Sequence, residues 1–249
     1  MGRVNNFGIL GYGYVGKATH YGILYNQSIQ IHDTALKTNL SNLKESDIVF
    51  ICIPTNNQTD IRILIDEIKK IKKQNSNCQI VIRSTLPPGT CGDIEKLCSI
   101  DIIYIPEFIR ERFWDVDCQR RPLIVGLNRS NIPDWLADEE KIVCSLEEAE
   151  IIKMFSNNFA TVKIAFANLF YELCQKYDAN YDIIKSAFFK IVHDQTYMDI
   201  PGHDGTRGFG GKCLPKDLDY IIDCLEINNI DNTWFRNIRE LNKEWQKKF

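Results

Sequence analysis

The sequence predicts an α/β fold, in which a doubly wound parallel sheet is followed by a helical domain with one long central helix. Three observations predict it: a series of short apolar runs, amphipathic stretches between them, and a change of composition after residue 145. The runs DIVFICIPT, CQIVIRST and IDIIYIPE are almost continuously apolar, as parallel strands covered on both faces are. Strands that alternate with helices over the first 145 residues indicate the doubly wound sheet.

The elements of the first domain follow in a regular order. NFGIL is predicted as the first strand and SIQIHD as the second, which ends in Asp33. RPLIVGL and EKIVCSL could add two strands after the three apolar runs, and IRILIDEIKKIKKQ has the period of an amphipathic helix. We therefore expect a nucleotide-binding α/β domain over residues 1–145.

The second domain is predicted to be helical. SLEEAEIIKMFSNNFATVKIAFANLFYELCQK contains neither proline nor glycine, and Ser145 with Glu148 forms a capping box at its start. A further helix is predicted at about residues 180–192, another opens near Pro215, and WFRNIRELNKEWQKKF closes the sequence as a helix. The helical domain is accordingly placed at residues 146–249.

Composition favours a protein that acts on small molecules. The net charge of −3 and the lack of a polybasic run argue against nucleic-acid and membrane partners. No apolar stretch is long enough to cross a bilayer, and the N-terminus runs straight into a glycine motif, so we expect a cytoplasmic protein. Nine cysteines without a CxxC pair, and four histidines without ligand spacing, indicate reduced thiols and no metal.

A glycine motif marks the nucleotide site. Gly11, Gly13 and Gly16 lie between the first strand and a helix, where they permit a tight turn, a close approach to a diphosphate and close helix packing. Asp33 ends the second strand and could hydrogen-bond the ribose hydroxyls, and its charge would repel a 2′-phosphate. The motif predicts a Rossmann-like domain that binds NAD, with FAD as the alternative cofactor.

Further motifs follow in a characteristic order: IPT at 53–55, RSTLPPGT at 83–90, PEFIRE at 106–111, AEIIKMFSNN at 149–158 and GFGGKCLPKD at 208–217. Together with the glycine motif, this series resembles the UDP-glucose/GDP-mannose dehydrogenase family. The resemblance implies that NAD accepts two hydrides as the primary alcohol of a nucleotide sugar becomes a carboxylate. UDP-glucose is the leading substrate, UDP-glucuronate the product, and a cysteine thioester the intermediate.

The cysteine loop suits this chemistry when its residues are considered alone. A thiolate can hold an aldehyde as a thiohemiacetal until a second hydride leaves, and Cys213 is the candidate nucleophile. Pro215 would open a helix whose dipole lowers the pKa of that thiol. Asp217, four residues after the cysteine, could hold a water for thioester hydrolysis.

The resemblance assigns further roles by position. Lys153 and Asn157, one helical turn apart, would stabilise and orient an oxyanion, while Glu111 and Thr85 would serve the water that hydrolyses the thioester. The predicted cofactor residues are Gly11, Gly13, Tyr14, Val15, Gly16, Asp33, Pro54, Thr55 and Thr85. The predicted substrate residues are Glu107, Phe108, Ile109, Arg110, Lys153, Asn157, Arg207 and Gly210.

The way in which the site is completed and the type of reaction are both left open by the sequence. Members of the family usually carry another α/β domain after this point, so we expect a short form without the C-terminal UDP-binding domain, completed as a homodimer through the long helix or by a separate partner. A two-electron dehydrogenase of the β-hydroxyacid type shares the glycine motif and a helical second domain but needs no cysteine. A non-catalytic NAD-binding subunit is the third possibility.

Overall fold

The chain divides into two compact units, Met1–Phe159 and Ala160–Phe249. The computed structural model describes residues 6–128, 132–191, 208–210 and 214–247. The domain boundary expected after residue 145 stays a prediction.

A seven-stranded sheet forms the centre of the first unit. Its strands are β1 (Phe7–Leu10), β2 (Ile29–His32), β3 (Ile48–Ile51), β4 (Gln79–Ile82), β5 (Ile102–Tyr104), β6 (Leu123–Gly126) and β7 (Lys141–Cys144). Their order across the sheet is β2-β1-β3-β4-β5-β6-β7. Every apolar run that the sequence offered as a strand therefore forms one, and the predicted α/β class is confirmed.

The sheet departs from the all-parallel arrangement at one point. Strands β1 to β5 are parallel to one another. Strand β6 lies antiparallel to β5, with Tyr104 opposite Gly126, and β7 is parallel to β6. Between β5 and β6 the chain forms only a 3₁₀ turn at Glu111–Phe113 and the short helix α4 (Trp114–Asp117). An antiparallel neighbour needs no crossover helix, which explains why this connection suffices.

Helices cover both faces of the sheet. Helices α2 (Gln58–Gln74) and α3 (Thr90–Cys98) pack on one face together with the first turns of α5 (Leu146–Lys176). The other face buries Ile9, Phe50 and Val81 and lies beside α1 (Tyr14–Ala18), whose Val15 packs against it. Burial on both faces explains why these strands are apolar at almost every position.

The long helix begins where the sequence predicts. The backbone N–H of Ser145 donates to Glu148 Oε2 at 2.8 Å, and the N–H of Glu148 donates to Ser145 Oγ at 3.1 Å. This reciprocal pair is a capping box, which satisfies two backbone donors at the helix start. Helix α5 then continues for 31 residues without interruption.

The second unit is helical. It contains the later turns of α5, then α6 (Tyr181–Ile191), α7 (Leu214–Ile227) and α8 (Thr233–Gln246). Its small core consists of Ile222, Leu225, Ile230 and Phe235, with Leu169, Phe170 and Leu173 of α5 packed against them. Among the helices that the structure describes, none is long and apolar enough to cross a membrane.

Candidate active site

The glycine turn after β1 requires its glycines for distinct reasons. Gly11 has a φ of +88°, and a Cβ there would meet the carbonyl oxygen of Cys52 at 2.7 Å. A Cβ on Gly16 would overlap the carbonyl oxygen of Gly11, so this glycine lets α1 approach the strand. Gly13 faces open space, with no atom within 4 Å of its Cβ position. The turn therefore has the close packing and open backbone that a diphosphate needs.

A cleft of about 830 Å³ opens beside this turn. Except for Gly16, which packs under the turn, all of the predicted cofactor residues line it: Gly11, Gly13, Tyr14, Val15, Asp33, Pro54, Thr55 and Thr85. Its volume and shape suit a dinucleotide. In the part of the chain that the structure describes, no cluster of three or more acidic, histidine or cysteine side chains could hold a metal ion.

Asp33 is positioned by the backbone around it. Its carboxylate accepts the N–H of Tyr12 at 2.6 Å and the N–H of Ala35 at 2.7 Å. The hydrogen bond from Tyr12 is the main cause that lowers the pKa of Asp33, so the group is ionised at neutral pH. An ionised carboxylate in this cleft fits the two ribose hydroxyls of NAD and disfavours a 2′-phosphate.

We expect Asp33→Asn to weaken NAD binding about 10- to 100-fold, because it removes the charge and turns one acceptor into a donor. The ratio of the NADPH dissociation constant to the NADH dissociation constant should become smaller at the same time. Quenching of protein fluorescence by NADH and NADPH measures both constants. The matched control is Asp47→Asn, whose carboxylate accepts the N–H of Asn6 at 2.9 Å and does not line the cleft. Equal losses in the two variants would contradict the assignment of Asp33.

A buried ion pair joins the end of β5 to α5. Lys153 is 2% exposed, and its Nζ lies 2.9 Å from Glu107 Oε1 and 3.3 Å from Asn157 Oδ1. The ammonium also lies 5.2 Å from the centre of the Phe108 ring. The other oxygen of Glu107 accepts the N–H of Ile109 at 2.7 Å. Within the first unit the structure therefore brings Glu107, Lys153 and Asn157 together; the sequence placed Lys153 near Asn157 but gave no sign of the contact with Glu107.

A second cavity, of about 360 Å³, lies beside this ion pair. The predicted substrate residues Glu107, Phe108 and Ile109 line it, and Arg83 also contributes. Glu107 and Arg83 line both the cleft and this cavity, so the two spaces adjoin at these side chains. Sequence reasoning missed Arg83, although its position two residues before Thr85 was a signal that it lies at the carboxyl end of β4.

Two other predicted residues are placed away from this cluster. Glu111 is exposed and lines neither cavity, so the carboxylate beside Lys153 is Glu107. Arg110 bonds to Asp117 through Nε and Nη2, both at 2.9 Å, and its guanidinium lies over the Phe113 ring. Arg110 is thus engaged by its own loop, and the spacing of PEFIRE alone could not show that Asp117 would be its partner.

Asp117 should make the first unit sensitive to acid. Its side chain is 1% exposed, and hydrogen bonds from Arg110, with Arg120 2.8 Å away, hold its pKa well below the usual range. Because the folded pKa is depressed, its stabilising contribution is present above about pH 4, the unfolded value, and declines as pH falls further. Below that pH the free energy of unfolding falls as pH falls. We expect Asp117→Asn to make this slope shallower, by up to the amount that corresponds to about one bound proton.

Denaturant unfolding between pH 6 and pH 3 measures this slope. The control is Asp115→Asn, an exposed acid on the same helical turn. If Asp117→Asn and the parent protein lose stability in parallel down to pH 3, the role given to Asp117 is wrong.

The remaining predicted residues lie in the second unit. Arg207 and Cys213 are outside the described residues, as is the side chain of Asp217, although its backbone belongs to α7. Gly210 is half-buried. Beside it, the backbone of Phe209 is held by α8: Asn242 Oδ1 accepts its N–H at 2.7 Å, and Asn242 Nδ2 donates to its carbonyl at 2.8 Å.

We expect Asn242→Ala to destabilise the second unit by about 1–3 kcal/mol, because a buried backbone donor loses its acceptor. Gln246→Ala serves as the control, since Gln246 donates to the same Phe209 carbonyl at 2.8 Å from a more exposed position. It should cost about 0.5–1 kcal/mol. Equilibrium unfolding in urea measures the loss of unfolding free energy in each variant. Equal losses would show that the two hydrogen bonds between Asn242 and the Phe209 backbone contribute no more than the one from Gln246.

The fold and cleft define a Rossmann-type dinucleotide-binding protein. Residues 23–138 match the NAD binding domain of the UDP-glucose/GDP-mannose dehydrogenase family, and residues 147–244 match its central domain. The UDP-glucose 6-dehydrogenase of Campylobacter jejuni is 30% identical over an alignment that covers 97% of this chain and 72% of that protein. The chain belongs to the UDP-glucose/GDP-mannose dehydrogenase family.

Other similarities agree with this membership. The UDP-glucose 6-dehydrogenase of Rickettsia conorii is 30% identical over 83% of this chain and 52% of its own length, and the chain spans about half the length of several such relatives. A GDP-mannose dehydrogenase from Pseudomonas aeruginosa, solved as a ternary complex, superposes with a TM-score of 0.81 at 20% identity, over 96% of this chain and 68% of that one. The predicted family, fold and NAD cofactor are confirmed.

Proposed function

We propose that this chain is an NAD-dependent nucleotide-sugar 6-dehydrogenase, which oxidises a primary alcohol to a carboxylate in two steps through a thioester on Cys213. The observation that carries the proposal is the buried Lys153–Glu107 pair with Asn157, beside a cleft that fits NAD. A buried ammonium held by a carboxylate and an amide is preorganised for a negative oxygen. When bound, NAD accepts the hydride in both oxidations.

The first oxidation needs a group that stabilises an alkoxide. The ammonium of Lys153 stabilises this oxygen, while Asn157 holds the ammonium in place through its Oδ1. Thr85 and Glu107, which line the cleft, would hold the nicotinamide end of the cofactor. The product of this step is an aldehyde at the same carbon.

The second oxidation requires the aldehyde to be held covalently. The thiolate of Cys213 adds to the carbonyl carbon, and Lys153 stabilises the oxyanion of the resulting thiohemiacetal. Loss of the second hydride forms the thioester. Water then attacks the thioester carbonyl, the carbon–sulfur bond breaks, and the carboxylate and the thiol are released. Glu107, the carboxylate in the cavity, is better placed than Glu111 to orient that water together with Thr85.

UDP-glucose is the leading substrate of this proposal, with UDP-glucuronate as the product. The support is the name of the relatives, UDP-glucose 6-dehydrogenase, at about 30% identity. The neighbouring structure is a GDP-mannose dehydrogenase, so a GDP-sugar is the alternative within the family.

A homodimer through α5 belongs to the same proposal. Four large apolar side chains, Phe155, Phe159, Val162 and Phe166, recur along one side of this helix and are 39–59% exposed. A helix side of this kind favours a partner surface, and a second copy of the chain is the one proposed. Light scattering tests this directly, and a monodisperse monomer at micromolar concentration would contradict it.

The decisive experiment is an assay of NADH formation against UDP- and GDP-sugars, with product analysis. We expect about two NADH per sugar and a uronate product. One NADH per substrate from a small β-hydroxyacid would favour the two-electron alternative. NAD binding without turnover on any sugar would favour a non-catalytic subunit.

A further inference from the structure

Arg83 is a buried cation, and two of its three nitrogens have no hydrogen-bond partner among the described residues. It follows β4, and its backbone N–H donates to the carbonyl of Ile51 at 2.9 Å. Its side chain is 5% exposed, and the N–H groups of Nε and Nη1 donate to no acceptor among the described residues. A buried guanidinium with unfilled donors is costly unless a ligand supplies the missing acceptor.

The charges near Arg83 leave it unneutralised. Glu107 is the nearby carboxylate, and its oxygens accept from Lys153 and from the N–H of Ile109, but among the described residues it forms no ion pair with Arg83. Burial raises the pKa of the neighbouring Cys52 thiol to about 11, so this group is neutral at pH 7. The ammonium and carboxylate of the Lys153–Glu107 pair cancel, and one positive charge remains at Arg83.

The other arginines of the smaller cavity differ from Arg83. Arg121 bonds to Glu139 at 2.8 Å, and Arg120 bonds to Asp117 at 2.8 Å. Among the arginines that line this cavity, Arg83 alone has no carboxylate partner in the described part of the chain. Because Arg83 and Glu107 line both spaces, the free charge lies where the dinucleotide cleft meets the smaller cavity.

The missing partner must be an anionic oxygen. Arginine pairs with carboxylates and phosphates through several N–H donors, whereas a neutral hydroxyl cannot balance its charge. In the proposed reaction the substrate is an uncharged alcohol at the reacting carbon and the product is a carboxylate. That carbon must lie near Lys153, whose ion-pair partner Glu107 is the residue that adjoins Arg83.

We propose that Arg83 binds the carboxylate formed on the sugar, and so makes the enzyme hold its product more tightly than its substrate. This inference rests on the proposed function. Arg83 would supply two donors to a group that exists only after the thioester has been hydrolysed. The consequence is strong product inhibition, which couples the rate of oxidation to the removal of the sugar acid by the next enzyme.

Sheet geometry argues against the dinucleotide diphosphate as the anion. The glycine turn follows β1, and Arg83 follows β4, with β3 between them in the sheet. Two strand spacings are roughly 10 Å, so the Arg83 side chain would have to extend across β3 to reach a diphosphate at the glycine turn, whereas it also lines the smaller cavity with Glu107. A diphosphate of the sugar nucleotide remains the competing source of the same chemistry.

Calorimetric titration of UDP-glucuronate, UDP-glucose, UDP and NAD separates these sources. We expect Arg83→Met to weaken UDP-glucuronate about 30-fold and to change the other three less than threefold. Arg83→Lys, which keeps the charge but loses the planar donors, should lie between the two. Arg83→Met removes an unpaired buried charge, so the melting temperature of this variant without ligand should equal or exceed that of the parent protein. This measurement shows whether weaker binding has its origin in a folding defect.

Each other outcome overturns the inference. Equal weakening of UDP-glucuronate, UDP-glucose and UDP assigns Arg83 to a diphosphate, and weakening of NAD assigns it to the cofactor. Unchanged binding of all four ligands leaves Arg83 without a binding role. The proposed function fails separately, if the parent protein forms no NADH from any nucleotide sugar, because the titrations need no turnover.

Discussion

Replacing Cys213 with serine should reduce complete oxidation of the sugar at least about a thousandfold, equivalent to about 4 kcal/mol in the barrier. A serine hydroxyl is almost fully protonated at pH 7 and is a much weaker nucleophile than a thiolate, so the aldehyde is no longer held for the second hydride transfer. The NAD affinity should stay within about twofold of the parent, since the predicted cofactor residues lie in the first unit. Stopped-flow NADH formation and product analysis measure the loss.

The matched control is Cys98→Ser, a half-buried cysteine of α3 that lines neither cavity. It should oxidise the sugar at nearly the parent rate. A Cys213→Ser enzyme that still forms two NADH per sugar at the normal rate would overturn the thioester mechanism. Loss of activity in both serine variants would instead point to general destabilisation.

Replacing Lys153 with methionine should lower kcat about 100- to 1,000-fold, because the oxyanion loses the cation that stabilises it. The same change removes the ammonium from Glu107 and should cost about 2–3 kcal/mol of unfolding free energy. Steady-state kinetics and denaturant unfolding give the two quantities. Lys176→Met, an exposed lysine in the last turn of the same helix, is the control and should change neither.

A double variant separates the chemical role of Lys153 from its structural role. When Glu107→Gln is added to Lys153→Met, no unpaired carboxylate is left, so most of the lost stability should return. Activity should not return, since the cation and the carboxylate proposed to orient the water are both missing; formation of the first NADH, which needs no water, reports the loss of the cation. If the double variant regains both stability and activity, Lys153 has only a structural role.

The comparison of the predicted and observed site shows which residue assignments depend on tertiary contacts. Glu107 and Glu111 belong to the same short motif, and their spacing did not show which carboxylate meets Lys153. The structure pairs Glu107 with Lys153 and leaves Glu111 exposed. The pairing depends on where α5 crosses the end of β5, and two segments separated by 46 residues carry no local signal of that contact.

Whether Arg83 and Arg110 pair with acidic side chains was likewise not evident from the sequence. Arg110 was predicted to contact substrate through its backbone, which stays a prediction, and its guanidinium is held by Asp117. Arg83 received no role from its motif, yet at the junction of the two cavities it has no carboxylate partner in the part of the chain that the structure describes. Whether an arginine is paired depends on which acidic side chain the fold brings within about 4 Å, and residue type and spacing do not encode this.

Local physics was sufficient for the order and type of the elements. Almost continuous apolar runs predicted the three central strands β3, β4 and β5, because a strand covered on both faces must be apolar throughout, and shorter apolar segments indicated the other four. The capping box of Ser145 and Glu148 predicted the start of α5, and the glycine spacing predicted the turn at Gly11, because caps and turns are formed by residues only a few positions apart. The antiparallel direction of β6, the Lys153–Glu107 pair and the unpaired charge of Arg83 emerged only in the folded chain, because each depends on contacts between segments that are distant in sequence.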